Sequence, residues 1–147
     1  MKVNNVYIVD DDTITIFGLR KLLTKYSNSI HIEEFRNGRD ALEAIFYSLD
    51  NAQSLPEIIF LDINMPIMDG WAFLDEFLKL PKIQGIHIKI ITSSIDVRDR
   101  QKWKSYIKKS GLYIDFITKP IYELNLDDLK PTRQLAWWPL IFYFWMK

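Results

Sequence analysis

The sequence predicts an α/β domain in which helices cover both faces of a parallel sheet. Short apolar runs of strand length recur along the chain, and each is followed by a segment whose apolar residues repeat with helical spacing. The central run, Ile58-Ile59-Phe60-Leu61, has no polar interruption, as a strand buried on both faces requires. Strands that alternate with helices of this length imply right-handed βαβ crossovers and hence a parallel sheet.

Five strands and four helices are predicted in alternation. The strands are expected over residues 6–9, 30–35, 58–62, 86–91 and 112–118. The helices are expected from apolar stripes at Ile16, Leu19, Leu22, Leu23 and Tyr26, at Leu42, Ile45, Phe46 and Leu49, at Leu74, Phe77 and Leu78, and at Val97, Trp103, Tyr106 and Ile107. Polar residues before the stripes are candidate N-caps, namely Asp12 or Thr13, and Ser94 or Asp96, while Gly111 is a candidate C-terminal cap of the fourth helix.

Composition indicates a single cytoplasmic domain. The 147 residues are enough for one domain with a substantial core. Nineteen basic and nineteen acidic residues cancel, so no global field attracts nucleic acid or anionic lipid. The absence of cysteine excludes disulfides and thiolate metal sites and is compatible with a reducing cytosol. We expect neither a signal peptide nor a membrane span, since no apolar run approaches the roughly 20 residues that a bilayer requires.

Polar residues follow the predicted strands where each strand ends. Asp10 and Asp11 follow the first strand, Asp62 ends the third, Thr92 follows the fourth and Lys119 follows the fifth. The carboxyl ends of parallel strands share one edge of the sheet, which is where such sheets bind ligands. Carboxylates held together repel one another unless a cation intervenes, and an all-oxygen set favours Mg²⁺ or Mn²⁺. With one ammonium and one hydroxyl, the set suits a dianionic, phosphate-type group on Asp62.

Four motifs carry a resemblance to a known family. They are Val9-Asp10-Asp11, Leu61-Asp62-Ile63-Asn64-Met65-Pro66-Ile67-Met68-Asp69-Gly70, Ile91-Thr92-Ser93 and Ile117-Thr118-Lys119-Pro120. In this order, each at the end of a predicted strand, they resemble a response-regulator receiver domain of the stand-alone, chemotaxis-regulator type. The resemblance extends over about residues 3–128 and implies a flavodoxin-like, doubly wound sheet of five parallel strands in the order 2-1-3-4-5.

The resemblance also implies a set of site residues. Asp62 would accept a phosphoryl group from a phosphohistidine of a sensor histidine kinase or a histidine phosphotransfer protein. Asp11, Asp62 and the backbone carbonyl of Asn64 would ligate Mg²⁺, with Asp10 acting through bound water. Lys119 would neutralise charge during phosphoryl transfer, which needs positioning and electrostatics more than covalent help. The same pocket would catalyse its own dephosphorylation.

The resemblance implies a switch as well. The Thr92 hydroxyl would hydrogen-bond a phosphoryl oxygen, and Phe116 would move into the space that Thr92 leaves. Many relatives carry Tyr where this chain has Phe116, so a hydrogen bond from that position is lost here. The Lys119–Pro120 peptide bond is expected to be cis. Signalling would then pass to an unknown downstream protein through protein contacts.

Two other functional classes stay open at this point. One is a Mg²⁺-dependent phosphatase that forms a transient aspartyl phosphate on Asp62. Phosphatases of that family typically have a second Asp two residues after the nucleophile, where this chain has Asn64. The other is a pseudo-receiver that binds a partner without being phosphorylated. Asn64 argues against the phosphatase and the presence of all the required side chains argues against the pseudo-receiver, so we expect a phosphoacceptor domain rather than an enzyme.

Several further residues have structural interpretations. Asp12 is expected to cap a helix, and His31 and His87 are expected to be structural or solvated. The fourth helix has six basic residues, which are interpreted as a solvated face or, alternatively, as a docking surface for an acidic partner. They are Arg98, Arg100, Lys102, Lys104, Lys108 and Lys109.

The C-terminus departs from the receiver pattern. We expect a receiver domain over residues 1–130 and an atypical tail over 131–147, because Pro131 interrupts what would be a fifth helix. The apolar run 135–146 has no helical stripe and is too short to span a membrane. It is compatible with a partner-binding patch, with folding back on the last helix, with exchange between two copies in a dimer, or with a reading-frame artefact. A homodimer through the fourth and fifth helices is a further alternative.

Overall fold

The computed structural model describes residues 3–93, 96–124 and 129. Strands and helices alternate through this part of the chain, as the sequence predicts. The elements are β1 (Asn5–Val9), α1 (Thr13–Tyr26), β2 (His31–Phe35), α2 (Gly38–Asp50), β3 (Ile58–Asp62), α3 (Gly70–Phe77), β4 (His87–Thr92), α4 (Val97–Ser110) and β5 (Tyr113–Thr118).

The five strands form one sheet in the order β2-β1-β3-β4-β5, and every neighbouring pair is parallel. The predicted fold class and strand order are therefore confirmed. The register pairs Val9 with both Phe35 and Leu61, and pairs Thr92 with Thr118. The residues after these positions therefore emerge at one edge of the sheet.

The sheet separates two hydrophobic cores because successive side chains of a strand point to opposite faces. On one face, Tyr7, Ile59 and Ile88 pack with buried residues of α2 and α3 and with Tyr106 of α4. On the other face, Val6, Phe60 and Ile91 pack with residues of α1 and with Leu129. β3 is buried along its whole length, whereas the edge strand β2 is half-exposed. The contrast matches the continuous apolar run of β3 and the mixed sequence of β2.

Helix caps agree with the sequence. Asp12 caps α1 by accepting a hydrogen bond from the backbone N–H of Ile14, and Asp96 caps α4 by accepting one from Arg98. Gly111 ends α4 in the left-handed conformation with φ +63°, which glycine adopts without steric cost.

Three predicted stripe residues are exposed instead of buried. Tyr26 is the last residue of α1 and Val97 is the first residue of α4, so both lie at a helix end. Phe46 lies on the flank of α2, because the buried face of that helix is formed by Ala41, Leu42, Ile45 and Ser48 together with Gly38. The apolar stripes therefore identify the helices correctly and overestimate the width of their buried faces.

Three predictions concern residues outside those that the structure describes. They are the domain boundary at residue 130, the tail over 131–147, and the dimer through either the tail or a fifth helix. Within the described residues, no helix combines the length and the apolar character that crossing a bilayer demands.

Candidate functional site

Three carboxylates meet at the carboxyl edge of the sheet. Asp10 follows β1 and is fully buried, Asp62 ends β3 and is 4% exposed, and Asp11 is exposed. Each offers a carboxylate oxygen, and the three oxygens lie within 4.8 Å of one another. Two hydrogen bonds hold Asp10 in place: its N–H donates to the Phe35 carbonyl (3.0 Å), and its Oδ1 accepts from the N–H of Asp12 (2.9 Å).

Lys119 brings a positive charge into this cluster. Its Nζ lies 2.7 Å from Asp10 Oδ2 and 3.5 Å from Asp62 Oδ1. Its backbone N–H donates to the Thr92 carbonyl oxygen at 2.7 Å, which fixes the chain as it leaves β5. The following peptide bond, Lys119–Pro120, is cis, in agreement with the sequence. One ammonium therefore bridges two carboxylates that come from different strands.

The pKa values of these groups are shifted by burial and by the close approach of like and opposite charges. Burial raises the pKa of Asp62 to about 6, repulsion from Asp10 adds to the increase, and Lys119 opposes it. Burial also raises the pKa of Asp10, although the ion pair with Lys119 acts against it. Burial disfavours the charged form of Lys119, but Asp10 and Asp62 outweigh it and raise the pKa of the ammonium.

A divalent cation fits this donor set. The cluster holds three carboxylates against one ammonium, and its ligands are all oxygens, which hard ions such as Mg²⁺ and Mn²⁺ prefer. Asp10 Oδ2 has Lys119 as its ionic partner, yet it accepts no hydrogen bond of good geometry from the described residues. The acidic cluster therefore has both the charge and the acceptor oxygens that such an ion requires.

The loop between β3 and α3 is closed tightly around the backbone of Asp62. The Gly70 N–H donates to the Ile63 carbonyl at 2.9 Å, and a Cβ on Gly70 would lie 2.4 Å from the Asp62 carbonyl oxygen. On the α2 side, the Gly38 N–H donates to the Met68 carbonyl at 3.0 Å. Both glycines are needed because a side chain would not fit at either contact. Asn64 lies exposed on this loop.

Thr92 and Phe116 occupy different surroundings. Thr92 is fully buried at the end of β4, one residue beyond Ile91, which pairs with Asp62. Phe116 lies two residues before the end of β5, and its ring centroid is 5.7 Å from that of Trp103 in α4. The structure thus brings Asp10, Asp11, Asp62 and Lys119 together and places Thr92 at the same edge of the sheet. It places Phe116 against α4.

An open apolar groove lies beside the acidic cluster. It has a volume of ≈ 460 Å³, runs between the first turns of α1 and the segment after β5, and is lined by Ile14, Gly18, Lys119, Pro120 and Tyr122 together with neighbouring residues. Ile14 is 81% exposed and Tyr122 is 82% exposed. Lys119 therefore borders both the acidic cluster and the groove.

Sequence reasoning missed a buried charged cluster within the sheet. Asp115 of β5 lies with its Oδ2 2.7 Å from His87 Nε2 and 3.0 Å from Lys89 Nζ, and both partners belong to β4. Lys89 is 2% exposed and His87 is 1% exposed. The available signal was a lysine inside one apolar strand and an aspartate inside the next. The other histidine, His31, is exposed, as expected.

Comparison with known proteins agrees with this arrangement. The family model described as response regulator receiver domain matches residues 6–129. The curated sensor histidine kinase CheAY of Helicobacter pylori is 32% identical over 129 residues, which are 83% of this chain. The chain spans only 15% of the length of that kinase, so the match concerns one part of it.

Solved structures of response regulators share this fold. A two-component response regulator from Cytophaga hutchinsonii superposes with a TM-score of 0.72 at 24% identity, covering 88% of this chain and 92% of that one. A two-component response regulator from Legionella pneumophila has a TM-score of 0.67 at 25% identity, covering 99% of this chain and 97% of that one. With the family model matching most of the sequence, the chain belongs to the receiver-domain family of two-component response regulators.

Proposed function

We propose that this receiver accepts a phosphoryl group on Asp62 with the help of Mg²⁺ or Mn²⁺ and signals through phosphorylation-dependent contacts with a downstream protein. The donor would be a phosphohistidine of a sensor histidine kinase or a histidine phosphotransfer protein. One observation carries the proposal: Lys119 Nζ lies between the carboxylates of Asp10 and Asp62, and Asp11 offers a third carboxylate within 4.8 Å. A carboxylate nucleophile, a fixed ammonium and an acidic metal-type cluster are the parts that phosphoryl transfer needs.

The metal would be held by residues of three segments. Asp11 and Asp62 would ligate it through side-chain oxygens, the backbone carbonyl of Asn64 would add a third protein ligand, and Asp10 would act through bound water. When bound, the ion neutralises charge on the phosphoryl oxygens and on the cluster. Burial and mutual repulsion raise the pKa values of Asp10 and Asp62, and this crowding supports a role for a cation.

The proposed transfer step uses the Asp62 carboxylate as the nucleophile. A carboxylate oxygen bonds to phosphorus while the phosphorus–nitrogen bond of the donor breaks. The electron pair of that bond returns to the imidazole, and the product is an acyl phosphate. Lys119, 3.5 Å from Asp62 Oδ1, would balance the negative charge of the phosphoryl oxygens.

The proposed response to phosphorylation uses Thr92 and Phe116. The Thr92 hydroxyl would donate a hydrogen bond to a phosphoryl oxygen, and Phe116 would repack in response. Phe116 already contacts Trp103 of α4, so its movement would alter the packing of that helix. The downstream protein would bind differently to the surface around α4 before and after Phe116 repacks.

The groove beside Lys119 is where the phosphodonor would dock. Its apolar rim, Ile14 with Tyr122, is exposed next to a site that must exclude water during transfer. Gly18 contributes to the opening, since nothing lies within 4 Å of where its Cβ would be. A donor helix laid along α1 would cover the groove and bring its phosphohistidine over Asp62.

The proposal is tested by incubating the chain with acetyl phosphate and Mg²⁺ and mapping the product by mass spectrometry. We expect one acid-stable, base-labile phosphoryl group per chain on Asp62, and its loss in Asp62→Asn or when EDTA removes the metal. Asp69→Asn is the matched control because Asp69 caps α3 at the other end of the same loop. That variant should still be phosphorylated on Asp62.

Three results would contradict the proposal. Rapid turnover of varied phosphomonoesters would identify a phosphatase, and a wild-type chain that forms no adduct would identify a pseudo-receiver. A phosphoryl group on another residue would also exclude Asp62 as the acceptor.

A further inference from the structure

Helix α4 is attached to the domain by few apolar contacts. Of its fourteen residues only Tyr106 is buried, and six are basic. The burial of an apolar face supplies most of the stability of a helix in a protein, and α4 has little such face. Its position must therefore depend strongly on the few specific contacts that it makes with its neighbours.

One group of contacts joins α4 to the start of α3. We call it the Trp71 clamp, and it consists of Trp71 and Asp75 of α3 with Asp99, Lys102 and Tyr106 of α4. The rings of Trp71 and Tyr106 are stacked, with centroids 5.5 Å apart and an angle of 10° between their planes. Such aromatic pairs stabilise beyond the area that they bury.

Polar contacts reinforce this stack. The Trp71 indole N–H donates to Asp99 Oδ1 at 3.3 Å, and the Lys102 ammonium lies 5.2 Å from the centre of the Trp71 ring. The Tyr106 hydroxyl donates to Asp75 Oδ1 and lies 3.4 Å from the Trp71 carbonyl oxygen. Trp71 is thus bound to α4 through its ring, its indole N–H and its backbone carbonyl.

The same tryptophan follows directly on the residue that closes the Asp62 loop. Gly70 donates to the Ile63 carbonyl at 2.9 Å, and its Cα packs so closely on Asp62 that a Cβ would lie 2.4 Å from the Asp62 carbonyl oxygen. A contact this close leaves little room for the Asp62 backbone to move independently of the start of α3. A displacement of the Asp62 backbone would therefore move Gly70 and with it the adjacent Trp71.

We infer that Trp71 is a positioning residue that couples the state of Asp62 to the position of α4. The coupling runs through the α3 side of the helix and is separate from the contact between Phe116 and Trp103 on the β5 side. The inference rests on the proposed function, because it requires a group to be added at Asp62. The clamp is a chain of packed rings and hydrogen bonds of the kind that can carry coupling between two sites.

The test is hydrogen–deuterium exchange of the α4 amides in the full chain, with and without Mg²⁺ and beryllofluoride as the phosphoryl mimic. In the wild type we expect loading to change the exchange rates of α4. Trp71→Phe keeps a stacked ring and loses the indole N–H donor. Asp99→Ala keeps the indole and removes the carboxylate that accepts its hydrogen bond. In both variants we expect complete loading of Asp62 at saturating beryllofluoride and a response of α4 reduced by about threefold or more.

Asp99→Asn is the matched control, since its amide oxygen still accepts the indole hydrogen bond, and it should retain the wild-type response. If Trp71→Phe does not fold, Asp99→Ala decides the test because it leaves the buried rings in place. A full α4 response in Asp99→Ala would overturn the inference and leave the proposed function standing. A wild-type chain that takes up no beryllofluoride at Asp62 would overturn both.

Discussion

At the scale of single residues, the site depends on one cation placed among three acids. Lys119 contacts two of them, at 2.7 Å and 3.5 Å, and its side chain is 15% exposed. Under the proposed function, an ammonium fixed in this way would already lie beside a phosphoryl group on Asp62, and preorganised charge of this kind is effective in catalysis. The residue-scale predictions concern this ammonium and one strained residue on the neighbouring loop.

Replacing Lys119 by Ala should slow phosphorylation by acetyl phosphate about a hundredfold, the usual effect of removing one preorganised cation or donor. Lys119→Arg should keep the charge and lose part of the rate, because a planar guanidinium does not reproduce the position of Nζ. The measurement is the rate of adduct formation on Asp62 per folded chain, with folding checked by circular dichroism. Lys79→Ala, which removes an exposed lysine of an ordinary surface pair, is the control. An unchanged rate in Lys119→Ala would remove the ammonium from the mechanism.

Ile67 stores backbone strain at the tip of the β3–α3 loop. Its φ is +70°, a left-handed conformation that β-branched residues adopt with difficulty, and its side chain is 70% exposed. Ile67→Gly should raise the free energy of unfolding by about 0.5–1 kcal/mol, since the relieved strain exceeds the added entropy of the unfolded chain. Urea denaturation measures the change. Ile67→Val keeps the strain and should be neutral, and a destabilised Ile67→Gly would contradict the strain assigned to this position.

At the scale of secondary structure, the sequence was sufficient to predict the strands and helices and the edge of the sheet at which the strand ends meet. Apolar runs and stripes located five strands and four helices, and the residues after the strands proved to be neighbours in space. The pattern could not show how elements attach to one another, since Trp71 and Tyr106 look like ordinary apolar positions in a sequence. Nor does spacing alone reveal that a lysine in β4 faces an aspartate in β5, because that contact depends on strand register.

The charged cluster between β4 and β5 gives an element-scale prediction. Hydrogen bonds from His87 and then Lys89 lower the pKa of Asp115 well below its usual range, in spite of burial. Asp115→Asn should destabilise the chain by about 3 kcal/mol, because it leaves the buried Lys89 ammonium without a charge partner. Glu76→Gln, which alters the exposed pair with Lys79, is the matched control and should change stability by less than about 0.5 kcal/mol.

The cluster of Asp115, His87 and Lys89 also predicts how the free energy of unfolding depends on pH. Because the folded-state pKa of Asp115 is depressed, its contribution is present above the ordinary carboxylate pKa and is lost as the pH falls below it. Thermal unfolding of wild type and Asp115→Asn should therefore differ most near pH 7 and converge in strong acid. A difference that stays constant between neutral and acid pH would show that the charge of Asp115 is not what stabilises the fold.

At the scale of the whole molecule, the acidic cluster destabilises the folded chain at neutral pH in the absence of a bound cation. Burial and Asp10 raise the folded-state pKa of Asp62 to about 6, above its ordinary value, so the carboxylate destabilises the metal-free chain at neutral pH. A chain of net charge zero thus concentrates its repulsion at one edge of the sheet. Function and stability are opposed at this edge, as expected for a site arranged for binding.

Asp62→Asn should therefore stabilise the metal-free chain at pH 7 by about 2 kcal/mol. The group with the raised pKa supports stability fully at low pH, and this support is lost as the pH rises through about 6. In EDTA, wild type and variant should have similar melting temperatures near pH 4 and should separate as the pH rises. Added Mg²⁺ should raise the melting temperature of the wild type more than that of Asp62→Asn. If the variant is the less stable protein at pH 7 in EDTA, the repulsion described for this cluster is absent.

The measurement that tests the central claim most directly is a crystal structure of the chain with Mn²⁺ and beryllofluoride, with the metal located by its anomalous scattering. We predict one Mn²⁺ bound by carboxylate oxygens of Asp11 and Asp62 at about 2.2 Å, an ordinary metal–oxygen bond length. We also predict a beryllofluoride group on Asp62, with Lys119 and Thr92 in contact with its fluorines. A metal peak elsewhere on the molecule, or beryllofluoride absent from Asp62 with the metal in place, would contradict the account.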